Sequence, residues 1–506
     1  MLRTSVLVVV AVIANAQYDP AQQIIMFKQN TKGPIGIMTT SFGAPVEYTD
    51  ARITLNRNLI HNKYFMDTLT HLVRERIPER VVHAKGAGAF GYFEVTNDIT
   101  DVCNAKLFST VGKKTPVATR FSLVVAERGG VDTSRDVRGF AIKFYTEDGN
   151  FDIVGLDTPV FANKDPVLFT SFARAQKRNP ATNLQDGNML WDYITLNPET
   201  LHIFMSVFSD RGIPDGFRRM PGFGIHTYEV LNKHNVKHFI RFHFTPDAGI
   251  KNLFTEDARK IAAEDPDYAT RDLYRAIGNG EYPSWTMGIQ VLTLNDVKKA
   301  GFDVFDVTKV LPLDKYPLRP VGKLVLNKNP INYFAEIEQL AFCPGNLVPG
   351  ILGAPDKVFE ARSFSYRDAQ YYRLGANFNK IHVNCPIQSA VYAYNRDGDP
   401  PTKENGRDSP NYYPNSFNGA VPYASKWRVD LVDIYQDAPN NFAQITEMYV
   451  NELSKEERSR LVQNILYSLG PVAGFLQERA VKLFTIIHPD LGMRIEQGLA
   501  FNKTVG

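Results

Sequence analysis

The chain has 506 residues, of which 44% are apolar and 12% aromatic, and its 57 basic and 54 acidic side chains leave a net charge of +3. That length exceeds one compact core and predicts several structural units around a large buried interior. The near-balance of charge gives no nucleic acid or anionic membrane surface a reason to bind, so neither is expected as a partner.

Arg3, the apolar run 6–13 and Ala14-Asn15-Ala16 before Gln17 have the order of a secretory signal peptide. Residues 1–16 are therefore expected to be removed and the protein secreted to the extracellular space. The run is too short to span a bilayer and no later segment reaches the roughly 20 apolar residues needed, so no membrane span is expected. The last residues carry neither a Ser-Lys-Leu address nor an ER-retention signal. Asn502-Lys503-Thr504 is an acceptable glycosylation sequon. Three scattered cysteines, Cys103, Cys343 and Cys385, imply neither a disulfide framework nor a metal site.

Residues 17–75 are polar and turn-rich, with Gly33-Pro34 and Gly43-Ala44-Pro45, and predict an extended arm followed by a helix over 59–73. Over 76–328 the pattern changes to short β-branched or aromatic runs, at 89–96, 117–125, 139–145, 238–244, 286–294 and 322–326. Such spacing predicts a barrel or sandwich, interrupted by helices at 252–264 and 269–278. Residues 329–440 are rich in Asn, Pro, Gly and Tyr and predict much loop. Over 441–506 helix returns, opened by the capping box Ser454-Lys455-Glu456-Glu457, with Leu461, Ile465 and Leu466 apolar and Gly470-Pro471 as its stop.

Two segments stand out chemically. Arg80-Val81-Val82-His83-Ala84-Lys85-Gly86-Ala87-Gly88 is a basic, β-branched run that breaks at one histidine. A lone histidine is more often a satisfied core or surface residue than a catalyst. In Arg362-Ser363-Phe364-Ser365-Tyr366-Arg367-Asp368-Ala369-Gln370, Arg362 and Tyr366 stand four apart, on one face if the segment is helical. Alone, that spacing suits an ordinary packing pair equally well.

Taken together, these segments resemble the monofunctional haem catalase superfamily. The stretch from Arg74 through His83 to Gly88 is similar to its distal-histidine motif, and Arg362 to Gln370 to its haem-ligand motif. Gln176-Lys177-Arg178-Asn179-Pro180, the stretch from Phe208 to Gly216, and Val383-Asn384-Cys385-Pro386 extend the likeness in order along the chain. The resemblance implies an α+β fold: an antiparallel eight-stranded β-barrel with an N-terminal arm, a wrapping region that carries the haem-ligand helix, and a C-terminal helical domain. It also implies a homotetramer and ferric haem b as cofactor.

By the same likeness Tyr366 is the axial iron ligand, a phenolate that the metal and Arg362 stabilise. His226 and Asp356 support that arginine. Arg80, Arg120 and Arg373 match the contacts to the haem propionates, where a guanidinium fork fits a carboxylate, and Val82 falls among the haem contacts. His83 is the distal base, Ser122 orients its ring, and Phe161 and Phe169 line the approach.

The sequence departs from the family pattern at one informative place. Where relatives carry a distal Asn, Val154-Gly155-Leu156-Asp157-Thr158-Pro159 has Leu156, and Ala162 replaces a common aromatic. A preorganised amide at a developing charge is worth about 3 kcal/mol, so its loss weakens the case for hydrogen peroxide. An apolar wall suits an organic hydroperoxide, whose chain contributes about 25 cal/mol per Å² buried. The expected function is a secreted haem enzyme that cleaves the O–O bond of a small-molecule hydroperoxide. Its first form is a fatty-acid hydroperoxide dehydratase giving an oxo fatty acid and water. The alternatives are a secreted catalase and a non-catalytic haem protein. His202 and Arg211 match positions that bind a nicotinamide dinucleotide phosphate in some relatives, whereas Thr245, Leu311 and Leu313 do not, so tight NADPH binding is not expected.

Overall fold

The computed structural model describes residues 19–52, 58–399, 405–415, 418–423 and 440–505. The proposed signal segment 1–16 and the side chain of Asn502 lie outside them. The chain divides into two compact units, the first ending at Glu79 and the second running from Arg80.

The first unit is mostly helical. Its arm is not extended throughout, because Asp19 caps a short turn at Pro20–Gln22 that leads into a helix Gln23–Asn30. The helix predicted over 59–73 splits into a turn Leu59–His61 and a helix Lys63–Leu72. The break is Asn62, whose side chain accepts from Phe65 N at 2.9 Å and restarts the helix as its cap.

The second unit is organised by a closed antiparallel barrel. Its strands are β1 (Gly86–Val95), β2 (Lys114–Leu123), β3 (Arg138–Thr146), β4 (Gly149–Leu156), β5 (Gly222–Phe223), β6 (Tyr228–Leu231), β7 (Lys237–Pro246), β8 (Ser284–Leu292), β9 (Arg319–Lys328) and β10 (Ile351–Gly353). Each of β1 to β4 pairs with the next, β5 joins β4 to β7, and β7 to β8 to β9 returns to β1. β5 and β6 pair with successive parts of the same edge of β7, so they fill one of eight positions, and β10 adds to β6 outside the ring.

Alternation divides the barrel cleanly between inside and outside. Inward positions supply Phe93, Phe121, Phe140, Phe144, Phe151, Phe242, Phe244 and Trp285, one aromatic core. Phe121 meets Phe140 edge-to-face at 5.0 Å, and pairs of that kind contribute about 0.5–1.5 kcal/mol beyond burial. The outward face of β1–β4 is also buried, and that is where the candidate site lies.

A second apolar cluster joins the helices Gly187–Leu196, Leu201–Phe208, Lys455–Leu469 and Gly474–Ile487. The Ser454 capping box forms as expected, with Ser454 Oγ accepting from Glu457 N and Ser454 N donating to the Glu457 carboxylate. Within the region expected to be largely loop runs the 18-residue helix Lys357–Leu374, which carries Arg362 and Tyr366. Cys103, Cys343 and Cys385 are free thiols. Among the described residues no helix is long and apolar enough to cross a membrane.

Candidate active site

Sheet register assembles one wall. Gly86 lies opposite Ser122, Ser122 opposite Gly139, and Gly139 opposite Leu156. Directly paired residues point to the same face, so the four form one row across β1–β4. Gly139 makes a depression in it: a Cβ there would lie 2.7 Å from His83 Nδ1 and 3.0 Å from Cε1. The His83 ring therefore rests edge-on over a glycine, with Ser122 on one side and Leu156 on the other.

His83 is held against its own backbone preference. Its φ is +65°, a region where a residue with a Cβ sits at a cost of about 1–2 kcal/mol. Three bonds fix it there. Its N–H donates to Val124 O at 3.0 Å, its carbonyl accepts from Arg120 Nη1 at 2.8 Å, and Nδ1 lies 2.9 Å from Ser122 Oγ. Burial, then the cations of Arg120, Arg362 and Arg80, push its pKa down to about 3. The imidazole is neutral at physiological pH. With Nδ1 engaged by Ser122 Oγ, Nε2 is the ring nitrogen left to exchange protons.

The opposite wall comes from the helix Lys357–Leu374. Asp356 caps it, accepting from Phe359 N at 2.8 Å, and its other oxygen lies 2.9 Å from His226 Nδ1. Arg362 Nη1 is 2.8 Å from His226 Nε2, which fixes the roles: Nε2 accepts from the guanidinium and Nδ1–H donates to Asp356. Burial raises the Asp356 carboxyl, but His226, the Phe359 N–H and Arg362 outweigh it and hold it below the usual range. The second Arg362 nitrogen donates to Val154 O at 2.6 Å and to the Tyr366 hydroxyl oxygen at 3.2 Å. One helical turn thus aims a cation at a phenol oxygen, and β4 sets its angle.

His226 reaches this chain of bonds through strained backbone. Ile225, β-branched and buried, has φ +70°, and His226 N–H donates back to Gly224 O at 2.8 Å, closing a three-residue turn. This turn separates β5 from β6 and is uncommon because of its cost.

A third group gathers at the edge between these walls. Arg120 stands two residues before Ser122 on the same face of β2, and Arg80 and Arg373 converge with it on the π-helical turn Phe334–Glu338. Arg80 Nη2 donates to the carbonyls of Ile337, Glu338 and Leu340 at 2.8–3.1 Å. Arg373 donates to the Glu338 carbonyl at 3.0 Å and to its carboxylate at 3.4 Å. Burial, then repulsion from Arg120 and Arg373, drives the Arg80 pKa well down. Among the described residues Glu338 is the carboxylate that these guanidiniums meet, and Arg80 Nη1, Arg120 Nε and Glu338 Oε2 have no hydrogen-bond partner. A cofactor with two carboxylates and a flat apolar body fits this edge, and haem has both.

The remaining residues expected from the sequence fall around these walls. Leu156 is buried in one apolar cluster with Val160, Ala162 and Phe172, against which Phe161 and Phe169 pack. Phe161 and Phe169 stack at 6.0 Å, and the Arg362 guanidinium lies 5.6 Å from the Phe161 ring, so Phe161 also touches the tyrosine side. Val82 is partly buried beside His83. Outside this group, His202 Nδ1 is engaged by Thr308 O at 2.9 Å and Arg211 pairs with Glu452 at 3.3 Å. Gly139, Ile225, Tyr333 and Glu338 were not legible from the sequence; the glycine that opens the predicted strand 139–145 was the one available signal.

The chain matches known proteins along most of its length. A family model described as Catalase matches residues 39–419, and one described as Catalase-related immune-responsive matches residues 435–499. A catalase of Sus scrofa is 50% identical over 469 residues, 91% of this chain and 89% of that protein. One of Drosophila melanogaster is 49% identical over 496 residues, 96% of this chain and 98% of that protein. Among solved structures, a fungal catalase superposes with TM-score 0.88 at 40% identity, covering 93% of this chain and 99% of its own. Catalase A from Saccharomyces cerevisiae does so with TM-score 0.85 at 42% identity, covering 92% and 99%.

Proposed function

This chain belongs to the catalase family, and we propose that it binds ferric haem b between His83 and Tyr366 and decomposes hydrogen peroxide to water and oxygen. The observation that carries this reading is the neutral His83 base, engaged by Ser122 on the outer barrel face, together with the helix that reaches β4 through Arg362 and carries a tyrosine whose oxygen accepts from that arginine. Bound there, the haem would supply the iron at which the O–O bond breaks and would store two oxidising equivalents between one peroxide and the next. Arg80, Arg120 and Arg373 would hold its carboxylates. Tyr366 would be the protein's ligand to the iron, with Arg362 stabilising the phenolate by a charge-assisted hydrogen bond.

His83 Nε2 takes the proton from the peroxide oxygen as that oxygen becomes nucleophilic. It returns the proton to the departing oxygen, which leaves as water. A second peroxide would give up two electrons to the haem, while His83 Nε2 would pass that peroxide's protons to the oxygen left from the first, which leaves as the second water as the second peroxide leaves as dioxygen. Two hydrogen peroxide molecules thus yield two waters and one dioxygen. Ser122 keeps Nδ1 protonated throughout, so that only Nε2 exchanges protons.

Leu156 supports a second reading, in which the substrate is a fatty-acid hydroperoxide. It stands in the His83 row where a polar partner would help hold hydrogen peroxide, and its surroundings are apolar. The reaction is then a dehydration: the carbon bearing the peroxide loses its hydrogen, the O–O bond breaks, and an oxo acid and water form. The names of the relatives favour the first reading. Secretion after loss of residues 1–16, assembly as a homotetramer and the absence of tight NADPH binding complete the proposal.

The deciding experiment supplies haem-loaded protein with hydrogen peroxide and with 13-hydroperoxy-linolenic acid separately. Faster molar turnover of hydrogen peroxide with oxygen release is expected. Faster conversion of the lipid to an oxo acid would overturn the first reading in favour of the second.

A further inference from the structure

The edge that gathers Arg80, Arg120 and Arg373 contains a carboxylate that anion binding does not require. Glu338 is buried, lies 3.4 Å from Arg373 Nη1 and 3.7 Å from Arg80 Nη1, and leaves Oε2 without a partner. A negative charge beside an anion site weakens it, so electrostatics alone gives no reason to place one there. The backbone has been shaped to place it. The segment Phe334–Glu338 is a π-helical turn, a rare form concentrated at functional sites. It is seated by Ile337 against Gly88, where a Cβ would meet Ile337 Cδ1 at 2.6 Å. At its start the Tyr333 hydroxyl donates to Gly86 O at 2.7 Å and interacts with Arg120.

We propose that Glu338 is a positioning residue that sets the charge of the haem-binding edge. By clasping Arg80 and Arg373 it holds their forks in place. Its negative charge also offsets part of the positive charge that Arg80, Arg120 and Arg373 bring to that edge, the rest being met by the cofactor's carboxylates. This rests on the haem-binding reading above and concerns the tuning of the iron rather than turnover.

The charge of Glu338 makes a signed forecast. Removing the carboxylate leaves one buried positive charge near the iron, which favours the ferrous state; removing one guanidinium does the reverse. Full-length haem-loaded protein is compared with Glu338→Gln, Glu338→Asp, Arg373→Gln and the double variant Glu338→Gln/Arg373→Gln. Haem content is read by pyridine haemochrome and the ferric/ferrous midpoint by mediated spectroelectrochemistry. Glu338→Gln is expected to shift the equilibrium about tenfold toward ferrous, about 59 mV for a one-electron couple. Arg373→Gln should shift it the other way, while Glu338→Asp and the double variant stay near the parent. Should Glu338→Gln take up no haem, uptake restored in the double variant supports the same charge balance. A midpoint equal in Glu338→Gln and the parent, or a double variant no nearer the parent than the singles, would overturn the proposal. Wild-type protein that takes up no haem would instead overturn the reading beneath it.

Discussion

Replacing Leu156 by Asn separates what the distal wall gains from being apolar from what it loses. Leu156 is 5% exposed, in the row that carries Ser122 and Gly139 beneath His83. Removing its buried methyls costs about 2–3 kcal/mol, and desolvating an amide in their place costs about 1–3 kcal/mol more where no partner is found. The folded protein should therefore melt several degrees lower. Against this, an amide donor beside His83 stabilises charge developing on the peroxide by about 3 kcal/mol, roughly a hundredfold in rate. Leu156→Asn is expected to be less stable and about a hundredfold faster on hydrogen peroxide at matched haem content, with lipid hydroperoxide turnover reduced. An oxygen electrode and a spectrophotometric lipid assay read both. An unchanged or slower hydrogen peroxide rate in a haem-loaded variant would refute the reasoning that Leu156 occupies the place of a catalytic donor.

Gly139→Ala sets a methyl 2.7 Å from His83 Nδ1 and should displace the ring, costing about a hundredfold in rate while the Soret band is kept. Arg362→Gln leaves His226 Nε2 and Val154 O short of a donor, so a loss of about 1–3 kcal/mol per group is expected in thermal melts, with a shifted haem spectrum. Activity should hold from pH 8 down to about 4 and fall only as His83 protonates near pH 3, which a pH profile of kcat/KM measures. The stability linkage has the opposite sign to a salt-bridged histidine. Buried, neutral His83, His202 and His243 titrate lower folded than the ordinary value near 6.5, to about 3, 4 and 4. Their contribution is whole above pH 6.5 and is lost as pH falls from there, because the unfolded chain binds the protons. Melting temperatures measured between pH 8 and 4 should therefore decline below about pH 6.5.

How much of this was legible in the sequence depended on whether the information was local. His83 and Tyr366 sit in runs whose neighbours also serve the site, so the motif delivered Arg80 and Arg362 with them. Strands with clean apolar runs were placed within a few residues; 139–145, for example, is β3 (Arg138–Thr146). β4 was missed because its centre holds Asp152, which is buried against Lys143 at 2.7 Å and also accepts from Cys343 N and Asn346 Nδ2. An acidic residue inside a strand reads as a turn until its cross-strand partner is known. Gly139 and Glu338 act through register and through a turn that folds onto β1, contacts between residues far apart in the chain. Ile225 was opaque for another reason: a β-branched residue is the last expected at positive φ, and only the bonds around His226 hold it there.

The most direct test is oxygen release from hydrogen peroxide by the haem-loaded, full-length protein beside His83→Ala of equal haem content. One dioxygen per two peroxides from the parent, falling by about a hundredfold or more in the variant, is expected if His83 is the proton-moving base opposite Tyr366. Equal oxygen release from the two proteins, or none from the parent, would contradict it.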